Sequence, residues 1–420
     1  MISLVQKSKI YIHPIYVVLF SLMPVIPGLH MIAFYNEGDS TPKTNKVTLK
    51  IIDADSSLPI PYATVISKSD SAIANEYGLC QLTIDQSTET VIISSIGYKP
   101  DTLQIHLGPN ITTIKLTPVK YDLPSVEIKS KGLSAKKIVA AAINRISNNY
   151  IQHAHNADLF YRFSVFDKTD SMTYQSESIA KYYDSSGYRK KNWRKTAKSR
   201  FVQLEHGRIL HGQRAENQKL DELRGIAFFW SHEAIVAHDK PLSNKVIDAY
   251  DFNLINVFEY NRNNIFEISF TCRDPNRQNS GLASGVYMSG KIYINEEDFA
   301  VIRYEENSKI DYTWKGKSTK RRGNKKERRI LESSKIELYT NSDYGYHLEY
   351  AKVVQNHSLE DTKLNNDIAQ YGSITMDELQ FFNLNADQVQ PLTENLFDVS
   401  TSFEFEAKYW DQFNLVMRSN

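Results

Sequence analysis

Residues 90–105 read TVIISSIGYKPDTLQI, and the fold turns on how they are read. Val91, Ile92 and Ile93 form an apolar β-branched run, Gly97 interrupts it, and Leu103 and Ile105 then alternate with polar neighbours. β-branched side chains suit a pleated, half-buried surface, and a glycine between two such runs marks a bend. The stretch therefore predicts two strands joined near Gly97. The pattern repeats on both sides: VTLKIIDA, YATVIS, CQLTID, ETVIISS, DTLQIHL and TTIKLTP are separated by DSSLPIP, NEYG, SIGYKP and GPN. Short strands at even spacing, with Gly, Pro, Asn and Asp at the joins, predict a β-sandwich of about seven strands over residues 46–118. Gly78 and Gly97 suit turn positions where positive φ is cheap. Pro59 and Pro61 cannot donate to a ladder and belong in a loop or at an edge.

The chain has 420 residues, enough for two or three domains. Its 41% apolar and 24% charged residues are those of a globular protein. A formal net charge of +1 excludes a global field toward nucleic acid, so any electrostatic targeting is local. Aromatic residues make up 11%, led by 25 Tyr, and favour strands. The two cysteines, Cys80 and Cys272, lie in different predicted domains and read as small buried hydrophobes.

At the N-terminus Lys7 and Lys9 precede an apolar run from Ile10 to about Phe34. Basic residues before an apolar stretch predict an export signal or N-terminal anchor over residues 1–35. Pro14, Pro24 and Pro27 favour the signal over an uninterrupted spanning helix. No Cys lies in residues 20–40, so a lipoprotein anchor has no attachment atom.

The segments DADSSLPIPYATV, ANEYG, VIISSIGYK and IKLTPVKYDLPSVEI occur in this order over residues 46–130. This region resembles the carboxypeptidase-like regulatory domain, a transthyretin-like (prealbumin-like) sandwich common in envelope proteins of Bacteroidetes-type bacteria. The likeness implies that fold and an envelope location. Leu49, Ala74 and Cys80 depart from the Gly, Thr and Phe usual in the family.

Residues 119–133 read as a linker. Ser134 is then placed to N-cap a helix over 134–150, whose Val139, Ala142, Ile143, Ile146 and Tyr150 recur at helical spacing. Over residues 151–415 longer strand patterns follow: DLFYRFSVF, TYQSESIAKYYD, RFVQLEH, NIFEISFTC, RILESSKIELYT and YHLEYAKVVQ. GKIYINEEDFAVIRYEE predicts a hairpin turning at NEED. LRGIAFFWSHEAIVA reads as helix or loop. Long antiparallel strands with few helices predict an α+β, half-barrel-like sheet wrapped on a helix. SAKKIVAAAINRISNNY, FYRFSV, GKIYINEEDFAVIRYE and YWDQFN resemble the second half of bacterial proteins that carry the regulatory domain in front.

Catalytic patterns fail on spacing. Catalytic zinc takes three protein ligands and a water. His357 and Glu360 form a His-x-x-Glu, but no His follows His357 to complete the set. His232, Glu233 and His238 lack the spacing that puts two ligands on one helical face. His153, His155 and Asp158 read as a solvated loop, and GLASG around Ser284 is not a nucleophile elbow. GKST lacks the leading Gly of a P-loop, whose place Asp311 takes. The chain is therefore expected to be no enzyme and to use no metal or cofactor.

The strongest local signal is basic. Nine of the fifteen residues from 315 to 329 are Lys or Arg: Lys315, Lys317, Lys320, Arg321, Arg322, Lys325, Lys326, Arg328 and Arg329, with Trp314 at their base. They predict a loop between strands ending near Tyr312 and starting near Ile330. That loop is either a solvated hairpin tip or a contact for an anionic surface, worth about 1 kcal/mol per basic residue near a charged membrane. A second cluster, Arg189, Lys190, Lys191, Arg194, Lys195, Lys198 and Arg200, interleaves with Tyr188 and Trp193.

The expectation is a non-catalytic, exported protein of the periplasm or outer membrane. Its sandwich spaces or docks, and its β-rich domain binds an envelope protein, a glycan or an anionic lipid surface, not nucleic acid. A small integral outer-membrane barrel is the alternative, since 157–410 could supply strands of the ~9–11 residues each crossing needs. A glycan-active enzyme with carboxylates on distant strands is the weaker one. The oligomeric state stays open.

Overall fold

The computed structural model describes residues 45–68, 70–108, 110–119, 134–189, 199–212, 233–237, 240–260, 263–275, 279, 286–317, 324–361 and 369–392. The predicted signal, and the predicted linker apart from Val119, lie outside these residues. Seven strands come first: β1 (Lys46–Asp53), β2 (Thr64–Ile66), β3 (Ser71–Ile73), β4 (Leu79–Thr83), β5 (Thr88–Ser94), β6 (Asp101–His106) and β7 (Thr112–Leu116). They form two sheets, ordered β4-β1-β7 and β3-β2-β5-β6. The predicted seven-stranded sandwich is there. β5 and β6 pair antiparallel from Thr88↔His106 to Ile93↔Asp101, so the stretch that opened the reading is a hairpin. Val91, Ile93 and Ile105 point into the core while Ile92 faces outward.

Two turns explain why glycine and asparagine sit where they do. In NEYG, the Asn75 side chain accepts the N–H groups of Tyr77 and Leu79. Gly78 has φ +70, and a Cβ there would lie 2.2 Å from the Ile51 carbonyl oxygen, so only glycine fits. Gly97 has φ +87, and its carbonyl accepts the Val119 N–H, tying the bend to the chain just past β7.

Helix α1 (Ala135–Asn149) follows, with Ile138, Val139, Ala142, Ile143 and Ile146 buried. Ser134 holds the N-cap position but makes no side-chain cap bond. Beyond it run β8 (His155–Phe166), β9 (Met172–Asp184), β10 (Arg200–His211), β11 (Tyr250–Tyr260), β12 (Asn263–Cys272), β13 (Val286–Asn295), β14 (Val301–Lys317), β15 (Asn324–Ser342), β16 (Gly345–Asp361) and β17 (Ala369–Asn385). All ten join one antiparallel sheet, ordered β10-β9-β8-β17-β16-β15-β14-β13-β12-β11. The sheet does not close into a barrel: β10 and β11, consecutive in sequence, are its opposite edges.

That topology dictates what fills one face. The chain must travel from one edge of the sheet to the other between β10 and β11. The described parts of this crossing carry Ala234, Ile235, Val236, Leu242, Val246 and Ile247 into the same hydrophobic core as α1 and the sheet. The stretch read as helix or loop is thus, at 233–237, a buried turn.

Three expectations are corrected. The basic stretch is not a loop from Tyr312 to Ile330, because β14 runs through Lys317 and β15 begins at Asn324. The ladder sets Lys315 opposite Lys326 and Gly316 opposite Lys325. Backbone pairing extends the hairpin, and the composition of its end did not reveal that. Arg200 belongs to no surface patch, since it is fully buried. β11 and β17 were not read as strands, yet β17 joins the two meanders by pairing with β8. Cys80 and Cys272 are both free and buried.

Candidate functional site

The sandwich and the large sheet belong to one compact unit. They meet on the sheet face opposite α1, through a small apolar contact in which Ile73 and Tyr62 pack on Leu338, Tyr350 and Ile336. A second contact puts Ile96, from the bend between β5 and β6, against Phe258, Ile265 and Tyr293. Lys352 reaches from β16 to Glu76 at 2.9 Å. Between these contacts lies a cavity of about 310 Å³. That is at the lower end of the usual range for small-ligand sites, about 300–1,000 Å³.

Strand irregularity aims the polar groups of this cavity. β15 and β16 slip between Leu338↔Tyr350 and Tyr339↔Leu348, leaving Glu349 as the extra residue of a β-bulge. A bulge turns two successive side chains to the same face. Glu349 thus joins Tyr350 on the sandwich side and lines the cavity, while Leu348 packs in the core. Its carboxyl makes no hydrogen bond or ion pair to any other described residue, and burial pushes it up to about 7. Arg303, from β14, pairs with Glu305 at 2.7 Å, yet its Nε is buried without a partner among the described residues. Its guanidinium lies 5.8 Å from the ring centre of Tyr62 and 5.5 Å from that of Tyr293.

Tyr62 itself is in an unusual state. Its φ is 59, in the left-handed region that bulky residues rarely adopt, at a cost of roughly 1–3 kcal/mol. The conformation is held by its N–H bond to the Ala74 carbonyl and by its ring against Tyr350, 5.5 Å between centroids. Burial and the nearby Glu76 and Glu378 push its hydroxyl well up, so it stays protonated. Thr64, Tyr260, Asn263, Thr340 and Asn341 add polar groups to a wall that Ile66, Ile96, Ile265, Ile302 and Leu338 also line.

The opposite face of the sheet is stitched by buried charge. Arg200 donates to Asp184 at 3.0 Å and to Glu233 at 2.6 Å. Lys240 donates to both oxygens of Glu306 at 2.6 Å, and the Tyr304 hydroxyl adds a bond of 2.8 Å. Glu337 accepts the Ala234 N–H and the Tyr339 hydroxyl and pairs with Lys335 at 2.8 Å. Burial raises Glu306, but Lys240 and Lys335 outweigh it and hold the carboxyl down at about 2. These groups anchor the crossing segment. Glu233, met in the sequence beside His232 and His238, is one of its anchors.

The sequence-predicted residues fare unevenly. Lys315, Lys317, Lys325, Lys326, Arg328 and Arg329 occupy ladder positions of β14 and β15 beside Trp314. Lys320, Arg321 and Arg322 lie outside the described residues, as do Lys190, Lys191, Arg194, Lys195 and Lys198. Arg189 is exposed. His155 is buried, His153 exposed, and Asp158 pairs with Lys181, so those three do not converge. Among the described residues no group of three or more His, Cys, Asp or Glu is placed to hold a metal. Reading the sequence missed Tyr62, Arg303 and Glu349. Nothing in RYEE or HLEY distinguishes a cavity residue from a solvated one.

A scan against protein-family models finds no match, and a search of curated proteins finds none either. Among solved structures, the chain is similar to a DUF1329 family protein from Desulfovibrio piger ATCC 29098, at 10% identity and a TM-score of 0.22, covering 65% of this chain and 98% of that one. It is also similar to a putative membrane-associated protein of unknown function from Bacteroides fragilis NCTC 9343, at 8% identity and a TM-score of 0.15, covering 80% of this chain and 98% of that one. At these TM-scores neither likeness transfers a property to this chain. No helix among the described residues is long and apolar enough to cross a membrane.

Proposed function

We propose that this chain is a non-catalytic cell-envelope protein whose sandwich and open sheet together bind an envelope partner at their junction. One observation carries the reading: the junction holds a cavity lined by Glu349, which pairs with no other described residue, and by Arg303, whose Nε is buried without a partner among them. Unpaired buried polar groups are costly, and a ligand that satisfies them recovers that cost. Binding is favoured over hydrolysis because Glu349 is the only carboxylate among the described residues that line the cavity. Glycoside hydrolysis ordinarily needs two, about 5–9.5 Å apart. The apolar N-terminal run with its leading lysines, and the resemblance of residues 46–130 to an envelope-protein domain, support the location.

The end of the β14–β15 hairpin supports a contact with an anionic surface. Its ladder sets Lys315 opposite Lys326 and Gly316 opposite Lys325, so basic residues of both strands gather at one end of the hairpin.

Cell fractionation with N-terminal sequencing of the mature product tests the proposal. The expected result is a chain in the envelope fraction, trimmed near residue 35. A full-length chain in the cytoplasm would overturn the location. Turnover of a glycan, ester or peptide by purified protein, abolished by one substitution, would overturn the non-catalytic reading.

A further inference from the structure

The junction cavity restricts its occupant more closely than the general reading does. Its wall mixes donors and acceptors without a dominant charge. Arg303 is already neutralised by Glu305, so a strongly anionic ligand gains little from it. With that pair neutral, a cation would find only the Glu349 carboxyl as counter-charge among the described lining residues. A lipid tail or other apolar ligand would leave the buried Arg303 Nε without a partner and would strip water from the partly buried Glu349 and Asn263, which costs free energy. Asn263, Thr340 and Asn341 make no side-chain hydrogen bond to any other described residue, so their groups are available to a guest. Tyr62 and Tyr260 add aromatic surface beside them.

Polar groups at fixed positions between aromatic rings suit a neutral ligand bearing several hydroxyls and an apolar C–H face. We propose that the cavity between the sandwich and the sheet is a saccharide-binding site in which Glu349, Arg303, Asn263 and Asn341 hydrogen-bond sugar hydroxyls and the Tyr62 and Tyr260 rings receive the sugar's C–H face. The assignment rests on the binding reading given above and names the ligand class of the same site. With its carboxyl pushed up to about 7, Glu349 near neutral pH presents both a donor and an acceptor, as a hydroxyl partner requires.

The test is saturation-transfer NMR and calorimetry on the full chain. The probes are glucose, galactose, mannose, N-acetylglucosamine and the disaccharides maltose, lactose and chitobiose, with inorganic phosphate and ethanolamine as charged controls. At least one sugar is expected to bind, and more tightly than either control. Glu349→Ala should weaken it about tenfold, the scale of one lost hydrogen bond to a buried group. Glu349→Gln, which keeps a donor and an acceptor, should stay within about threefold of the parent, and thermal melts of both variants at about pH 4.5, where the parent carboxyl is protonated, should match it. Lys309→Met, remote from the cavity, should leave affinity unchanged. Absence of binding by every sugar, tighter binding of phosphate or ethanolamine, or a sugar affinity untouched by Glu349→Ala would each overturn the assignment and leave the non-catalytic envelope reading intact. Release of new reducing ends from a sugar that binds through Glu349 would uphold the site and overturn the non-catalytic reading.

Discussion

The two β regions of this protein are held together by different chemistry. The sandwich core is aliphatic: Val47, Leu49, Ile51, Ile60, Val65, Leu82, Val91, Ile93, Ile105 and Leu116 pack together, and the buried polar residues among these strands and turns are Asn75, Ser94 and Ser95. The ten-stranded sheet also buries Arg162, Glu177, Asp184, Arg200, Lys240, Glu306, Lys335, Glu337, Lys352 and Glu378. Arg162 donates to Glu177 and Glu378, each at 2.9 Å, and Tyr350 bonds to Glu378 at 2.9 Å. Two thin sheets facing each other exclude water by apolar contact alone. A single wide sheet covered by an irregular crossing segment leaves backbone and side-chain polar groups to be matched, and paired charges match them at specific points. The lesson is that the small region's stability comes from area, and the large region's register from charge.

The contrast breaks most visibly at Arg200. Arg200→Met removes the cation between Asp184 and Glu233 and leaves two carboxylates buried together. Loss of about 3–5 kcal/mol in urea unfolding is expected, as for other broken buried pairs. A loss under about 1 kcal/mol would show that the charges contribute little there.

Acid should separate the two regions. Glu306 is held down at about 2 against an ordinary 4.5, so its contribution is present above about 4.5 and is lost as pH falls toward 2. By linkage the sheet should weaken by up to about 3 kcal/mol across that window, while the aliphatic sandwich changes little. Hydrogen exchange near pH 3 should show β14 and β15 opening before β1 and β5; simultaneous opening would count against the distinction.

Glu349 runs the other way. Its folded carboxyl is pushed up to about 7, so the protonated form is favoured and stability is lost as pH rises from about 4.5 through about 7. Glu349→Gln should therefore raise the melting temperature at pH 8 and leave it nearly unchanged at pH 4.5. The gain is on the order of 1–2 kcal/mol, allowing for solvent access through the cavity. An equal gain at both pH values would mean that the carboxyl is not desolvated.

The smallest effect belongs to the sandwich. Gly97→Ala meets no atom within 4 Å, so its cost comes from φ +87 alone, about 1 kcal/mol. Gly78→Ala, whose new Cβ would collide with the Ile51 carbonyl, should cost clearly more. Equal costs would place backbone strain, not close approach, in charge of both turns.

Legibility followed the same division. The sandwich could be read from 90–105 and its neighbours because its strands alternate cleanly and its bends carry Gly or Asn with specific backbone duties. The NEED hairpin was legible for the same reason, and so was α1, whose apolar stripe is local. β11, YDFNLINVFEY, and β17, AQYGSITMDELQFFNLN, were not recognised, since one interleaves asparagines and the other carries Asp377 and Glu378, and carboxylates ordinarily stay in solvent. Both acids are buried, Asp377 accepting from Tyr161 at 2.5 Å. Their partners on β8, Tyr161 and Arg162, lie 216 residues away.

The amino-acid order alone settled the sandwich, the amphipathic helix and the β-rich character of the remainder, because alternation, turn chemistry and helical spacing are short-range properties. The tertiary structure decided that the sheet stays open, that Arg200 and Glu233 are interior, and that Tyr62, Arg303 and Glu349 share one cavity. Those outcomes depend on which strands become neighbours and where a one-residue bulge falls. Both are set by packing between segments far apart in the chain.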